Sequence, residues 1–512
     1  MLRNFILFIY LVLPAAAFAQ MNVAADSLYT YRQTINAISA AKMGATLLQG
    51  SNIQKVSQAG IHYRNSGGSF RVAQEAQQTK SGQVYTEGIT TLNRFKLYGY
   101  FSFARIMDDS LAFNMKGIKD SPQPTYFMAG KASNYERQNF TGGGIISYEL
   151  FKDRLFISTG VDYLYNSTAG SVDPRALVYT YQLKFRPELS YKIGNQIIGL
   201  GALAGYGDQD VEQIRYKNGD YNGSLTYPLR ISNLNYGFGY YEASISPFVR
   251  KNTYTGLSLS YSKQGTALDY KARISYEIDQ EDNQYEPSNS IVNNPISSFQ
   301  LESLGFDLLI TKSAKGNSQQ LKMHLLRQIG DDKLVAQAAR NYTYKNYDGQ
   351  LQYSYLNTKN SRHQGEWIAG FLYHYGYKRD AASSHLLDYT TYEPLIGHTH
   401  YWTPENKDLI SAGLQLSARL PFDTQVNIPA TQVTLFSKGV VFPDYLYWSA
   451  KAARASFRFN YVTERIIKKF RTGFGIESSY LRAVNTVADF NNATFIPEKG
   501  YLDLKLSLNL YL

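Results

Sequence analysis

Residues 501–512, YLDLKLSLNLYL, alternate without a break. Leu502, Leu504, Leu506, Leu508, Leu510 and Leu512 form one row, and Asp503, Lys505, Ser507, Asn509 and Tyr511 form the other. A strand places successive side chains on opposite faces, so this segment has one apolar side and one polar side.

The same grammar recurs upstream. Leu177, Tyr179, Tyr181, Leu183, Phe185, Pro187, Leu189 and Tyr191 share one parity, opposite Thr180, Gln182, Lys184, Arg186, Glu188, Ser190 and Lys192. Tyr270, Ala272, Ile274, Tyr276 and Ile278 alternate with Lys271, Arg273, Ser275, Glu277 and Asp279. Trp367, Ala369, Phe371, Tyr373, Tyr375 and Tyr377 face away from Glu366, Gly370, His374 and Gly376. About sixteen such segments run from 95–105 to 501–512, with 236–250 among them, and the count has a range of about 14–18. Many are ten or more residues long. A tilted strand needs ~9–11 residues to cross a bilayer, whereas soluble strands average ~5–6.

Three features favour a membrane barrel over a soluble sandwich. So many long strands would make an unusually wide open sheet. The polar rows carry full charges (Lys184, Arg186, Glu188, Lys271, Arg273, Glu277), as a wet or plugged lumen would. Tyrosines end the apolar rows (Tyr163, Tyr165, Tyr191, Tyr261, Tyr276, Tyr377, Tyr480), where interfacial girdles sit. In lipid every backbone group must be paired internally, which for a sheet requires closure. The expected fold is therefore all-β: a transmembrane antiparallel barrel over residues 53–512 with long extracellular loops. Pro187 cannot donate to a ladder, so a bulge or strand end is expected near it.

Composition agrees. The 512 residues contain no cysteine, which excludes a disulfide scaffold, a thiolate metal site, a Cys nucleophile and a lipoprotein anchor. Lys plus Arg is 52 and Asp plus Glu is 41, a net charge of +11. Mean hydropathy is −0.33, and no long apolar run follows the first twenty residues, which excludes a helical multispan protein. Residues 1–19 read as a secretory signal. Arg3 is followed by the apolar run Phe5–Leu13, and Ala17-Phe18-Ala19 fits a small-x-small cleavage site before Gln20. Export to the outer membrane of a Gram-negative cell is the expected destination.

Connections are uneven. Phe151-Lys152-Asp153-Arg154 is tight, whereas 107–141, 208–235, 279–301, 378–408 and 421–450 read as long polar loops. Residues 20–52 lack the period of two. Leu28, Ile35 and Ile38 have helical spacing, consistent with a helix at the periplasmic mouth, a plug or an unstructured leader.

Several stretches resemble a poorly characterised family of Bacteroidota outer-membrane β-barrels: Gly68-Ser69-Phe70-Arg71 with Gln74-Glu75, Leu97 through Phe103 (LYGYFSF), and Gly205 through Glu212 (GYGDQDVE). The resemblance runs over most of the chain and implies a barrel in the outer membrane, but no activity. Barrels of this kind commonly end in Phe for the insertion machinery, whereas this chain ends Tyr511-Leu512.

Candidate site residues follow from the rows. Lys184, Arg186, Lys271, Arg273, Arg419, Arg454 and Arg458 are expected to line the lumen, with Glu188, Glu277, Asp279 and Glu477 as counter-charges. An open lumen of this kind would bias passage toward anions, whereas a salt-bridged one would be packed shut. Five of the seven histidines fall between 363 and 400, and His398 and His400 would share a face if extended, a possible metal pair. Asp208, Asp210 and Glu212, or the acidic group Asp279, Glu281, Asp282 and Glu286, could hold Ca²⁺ or be solvated loops. Gly199, Gly201, Gly205 and Gly207 lack the helix and Lys-Ser/Thr of a phosphate loop and fit a bend or a plug better. No cofactor motif is present, and basic residues spread along strands argue against nucleic acid. The expected partners are outer-membrane lipid and the barrel-insertion machinery, with a receptor or secretion assembly as a further candidate. The leading expectation is a channel or transporter for a solute. A non-enzymatic accessory barrel is second. A barrel hydrolase using the 363–400 histidines is third, without a nucleophile motif to support it.

Overall fold

The computed structural model describes residues 27–511, apart from Thr266, 287–293, Lys315, Ser361, 405–407, 468–469 and 486–487. The expected signal segment and Leu512 lie outside the described residues. Among those described, eighteen antiparallel strands close into one barrel. In chain order its wall begins with β1 (Lys55–Gly68), β2 (Gln78–Leu92), β3 (Phe95–Leu111), β5 (Ser133–Phe151), β6 (Leu155–Gly170) and β7 (Arg175–Ile193). It continues with β8 (Gln196–Arg215), β11 (Phe248–Lys263), β12 (Leu268–Tyr285), β13 (Pro295–Ala314), β14 (Asn317–Leu334) and β15 (Tyr342–Asn357). The last six are β16 (His363–Asp380), β17 (His385–Trp402), β18 (Leu409–Asn427), β19 (Ala452–Thr463), β20 (Arg471–Ala483) and β21 (Gly500–Tyr511). Three short strands, β4 (Thr125–Met128), β9 (Asn233–Tyr236) and β10 (Tyr241–Ala243), form a separate sheet inside the loops.

Closure is made by β1, which pairs with β2 and also with β21, from Gln58↔Tyr511 to Gly68↔Tyr501. No edge strand is left, as lipid demands. The rows face as alternation requires. Ile198, Leu200 and Tyr206 on β8, Leu257 and Leu259 on β11, and Leu502, Leu506 and Leu508 on β21 are exposed on the outer wall. Strands of 12 to 20 residues exceed the ~9–11 that a bilayer needs, so the wall rises past the membrane at one end. Short turns, the start of β1 and the end of β21 lie at the other end. The barrel thus has a loop end and a turn end.

The short connection at Lys152–Arg154 joins β5 to β6 as read from the sequence. Other readings need correction. The supposed loop 378–408 contains β17, and strands β1 and β2 showed no clean alternation. The cause is visible in β17. Its outward row is Asp388, Thr390, Tyr392, Pro394, Ile396 and His398, and its inward row includes Leu387 and Leu395, so both faces are mixed. Conversely, 236–250 is mostly not wall: it holds β10 and only the first residues of β11. The strand β7 runs straight through Pro187 with no bulge. Its ladder to β8 lapses at Arg186 and Pro187 and resumes at Glu188↔Gly201 in the same register.

The long loops turn inward. The sheet β4–β9–β10 and the segment 428–451, with its wide turn Ser437–Val441, pack over the barrel mouth. One buried cluster joins Leu111, Met115, Phe127, Val178, Leu234 and Phe248, and a second joins Phe113, Met128, Phe238, Leu387, Phe436 and Val440. The loop end is thus a folded cap with a dry core.

Candidate functional site

A helix enters the lumen from the turn end. The helix α1 (Ser27–Met43) and the single turn α2 (Ala45–Gln49) lie inside the wall. Small residues let α1 approach the strands: Ala37, Ala40 and Ala41 are buried, and Ile38 packs with Val56, Ile89 and Tyr98 of β1–β3. Leu28, at the other end of the helix, packs with Leu356, Leu409 and Val462 across the lumen. Of the three residues with helical spacing, Leu28 and Ile38 are buried and Ile35 is exposed.

Polar contacts fix the segment. Arg32 pairs with Glu366 at 2.6 Å, and Lys42 pairs with Glu87 at 2.7 Å. Arg273 donates to the Met43 carbonyl. Gly44 turns the chain between the helices with φ +154°, a region essentially restricted to glycine. The turn aims backbone donors at one carboxylate. Glu188 accepts from Thr46 N at 2.7 Å, from Ala45 N at 3.3 Å and from the Thr46 hydroxyl. The Thr46 hydroxyl also lies 2.7 Å from Ser190 Oγ. Gly199 is required beneath it, since a Cβ there would overlap the Thr46 hydroxyl. Of the β8 glycines, Gly199 and Gly201 lie beneath the helices, whereas Gly205 and Gly207 lie against β7 and β11.

One helix cannot fill the barrel. Eighteen strands spaced ~4.8 Å apart and tilted ~40° give a backbone radius of about 18 Å, against ~10–12 Å for the diameter of a helix. Inward side chains of the wall accordingly remain wet: Arg458 is 66% exposed, Arg64 56% and His324 50%. Cavities of about 310 Å³, beside Lys42, Tyr100, Asp162, Arg186 and Arg273, and about 390 Å³, beside His62, Gln83 and Glu87, flank the plug.

The expected lumen residues all sit on inward rows, and many are paired. Arg186 meets Asp162 at 2.5 Å, and Lys184 reaches Glu277 at 3.9 Å. Arg454 lies 3.4 Å from Glu393, while Glu477 is shared by Arg458 at 3.7 Å and Lys505 at 3.6 Å. Lys271, half-exposed on β12, borders the α1 end of the lumen beside Gln264 and Asp269. Arg419 lies under the cap instead. Its guanidinium stacks 4.2 Å from the Tyr447 ring and donates to the Tyr447 carbonyl of α3 (Phe442–Ser449).

Buried charges hold the cap. Arg250 bonds Glu281 at 3.0 Å, Asn283 at 3.0 Å and Gln123 at 2.6 Å. Arg137 pairs with Asp108 at 2.8 Å and donates to the carbonyls of Lys116 and Gly117. Asp380 accepts from Phe238 N and Tyr240 N, and Asp444 accepts from Ala73 N. Burial pushes the Asp444 carboxyl above its usual range, opposed by Lys378 and the Ala73 bond. Burial pulls the Lys116 ammonium down to about 7, and the neighbouring Lys378 and Arg250 act in the same direction. His374, on the polar row as expected, bonds Asp348 and Tyr389 and lies 4.9 Å from the Trp448 ring of α3.

The remaining candidates are on the outside or dispersed. His398 and His400 share a face, but it is the outer wall, in a strand and not a loop. Asp208, Asp210 and Glu212 belong to β8 itself, in the outward row beyond Tyr206. Of the other acidic group, Asp279, Glu281 and Asp282 are strand residues, and Glu281 is the partner of Arg250. Among the described residues, no three His, Asp or Glu side chains are arranged to hold a metal ion. Sequence reasoning missed the plug contacts Arg32, Lys42, Glu87 and Glu366. Only the helical spacing near Leu28 pointed to the segment, and nothing local marked its partners.

A family profile matches residues 45–512, the whole barrel and the turn α2. The chain belongs to DUF6850, a family of unknown function. No curated protein matches the chain. Solved barrels that resemble this DUF6850 chain do so distantly. The unliganded ferric citrate transporter FecA is 8% identical, with 89% of this chain and 78% of that one covered and a TM-score of 0.38. The open form of the ferric-catecholate import receptor Fiu from E. coli K12 is 8% identical, over 90% and 82%, with a TM-score of 0.38. OccAB3 of Acinetobacter baumannii is 10% identical, over 90% and 99%, with a TM-score of 0.33.

Proposed function

We propose that this protein is an outer-membrane barrel, in a Gram-negative cell of the Bacteroidota, that admits a small anionic solute when its N-terminal segment leaves the lumen. The turn end then faces the periplasm and the loop end faces outside. One observation carries the reading: α1 and α2 are seated in a charged lumen by ion pairs and hydrogen bonds such as Arg32–Glu366 and Thr46–Glu188, with only two small apolar clusters beside them. On undocking these polar groups exchange protein partners for water, a replacement that buried apolar surface does not have. The anion preference rests on the wet cluster in which two cations, Arg458 and Lys505, share the single carboxylate of Glu477, because a charged constriction sets selectivity.

A reversible lock tests it. The chain has no cysteine, and the Thr46 and Ser190 hydroxyls are 2.7 Å apart, so T46C/S190C can tie plug to wall. The reduced protein in a planar bilayer should pass current with a reversal potential favouring anions, and oxidation should abolish it. No current from reduced, folded protein counts against the channel.

The dry cap supports a second reading, a closed accessory barrel whose outer loops bind a receptor or secretion assembly. Leu225, 87% exposed, Tyr227 and Leu229 present an apolar tip on the loop between β8 and β9. Consistent co-purification of one partner from native membranes, lost on changing Leu225 and Tyr227 to Ser, would favour it over the channel.

A further inference from the structure

We propose that His363 and His400 form a two-imidazole site for a borderline divalent cation (Zn²⁺, Cu²⁺ or Ni²⁺) on the outer wall at the turn end. The register builds it. His363 faces Trp402, Gly365 faces His400 and Trp367 faces His398, all on outward rows of β16 and β17. His363 Nδ1 and His400 Nε2 stand 3.4 Å apart.

That spacing is long for a hydrogen bond, which prefers ~2.7–3.2 Å. It matches the bite of one tetrahedral ion, because two Zn–N bonds of ~2.0–2.1 Å at a tetrahedral angle place the nitrogens ~3.3 Å apart. The rings point these nitrogens toward each other with centroids 5.6 Å apart. Both imidazoles are exposed, so a small ring rotation directs both lone pairs at one ion.

The surroundings keep the pair in place and accessible. His363 stacks on Trp402 at 6.3 Å with 8° between planes. His398 is drawn aside onto Trp367, with ring centroids 4.6 Å apart. Gly365, between the two histidines, leaves a notch: a Cβ there would stand 3.1 Å from His398 Nε2. Exposed Trp367 and Trp402 put the pair at the level of the interfacial belt. The ion's remaining positions then open toward water and headgroup phosphate oxygens. Among the described residues no carboxylate joins the pair, and imidazole donors select Zn²⁺, Cu²⁺ or Ni²⁺ over Ca²⁺ or Mg²⁺.

The test uses the full chain, purified without a polyhistidine tag and titrated with Cu²⁺ by calorimetry and electron paramagnetic resonance. One equivalent should bind, with nitrogen hyperfine structure from two imidazoles. H363N and H400N should each weaken binding by about tenfold or more. H374N, which alters a histidine inside the lumen, should leave it unchanged. Heat-modifiable electrophoretic mobility confirms that each variant is folded. Parent-like Cu²⁺ binding by folded H363N and H400N, or no binding by the parent in metal excess, overturns the proposal.

Discussion

Removing the Glu188 carboxylate should release the plug. Glu188→Ala takes away the acceptor of Thr46 N, Ala45 N and the Thr46 hydroxyl, all buried. An orphaned buried donor costs ~1–3 kcal/mol, and bonds to a charged acceptor are about twice as strong as neutral ones. Relief comes only if the undocked segment is hydrated, so docking weakens by about 2–4 kcal/mol. At about 1.4 kcal/mol per factor of ten, the undocked population rises about 30- to 700-fold. A reporter thiol measures it directly. Ala37 is 3% exposed against the wall, and the chain has no other cysteine, so Ala37→Cys gives a single buried thiol. Its modification rate should rise by the same factor in the Glu188→Ala background, while Glu188→Gln, which keeps one acceptor oxygen, should fall between. A rate within about threefold of the parent, with the barrel folded, would refute the view that this carboxylate holds the plug.

Three further outcomes follow from the same contacts. Gly44→Ala places a side chain where φ is +154° and a Cβ would lie 3.3 Å from Glu188, so it should loosen the plug by ~1–3 kcal/mol in the same thiol assay. Arg250→Met leaves Glu281 buried without its partner, both being 1% exposed, which should destabilise the cap by ~3–5 kcal/mol. Limited proteolysis should then cut the loops 112–124 and 216–232 before the wall. The Lys116 ammonium, lowered from 10.5 to about 7, gives the cap a pH dependence. Between those values the opened cap binds more protons than the closed one, so closing becomes more favourable as pH rises from about 7 toward 10.5 and carries its full penalty below about 7. Cap amide exchange, corrected for intrinsic rate, should slow between pH 7 and 9 in the parent and not in Lys116→Met. An unchanged profile in that variant would assign the dependence to another group.

The chain's own order of residues determined the barrel. A period of two is a local property: neighbouring residues decide it, and β21 or β7 declares its two faces without reference to any other strand. The same locality placed Arg186, Arg273 and Arg458 inside and Tyr163, Tyr191 and Tyr276 outside. Where both faces of a strand meet mixed surroundings, as in β17, the period disappears. There the inward row packs on the apolar cap through Leu387 and Tyr389, and the outward row carries Asp388, Pro394 and His398. Only the tertiary structure decided what occupies the lumen and which charges meet. Arg32 and Glu366 are 334 residues apart, and Ala45 and Glu188 are 143 apart. His363 and His400, 37 positions apart, become neighbours only through the register of β16 on β17. Ring closure and cross-strand register create those pairs, and neither is written in any window of sequence short enough to be read alone.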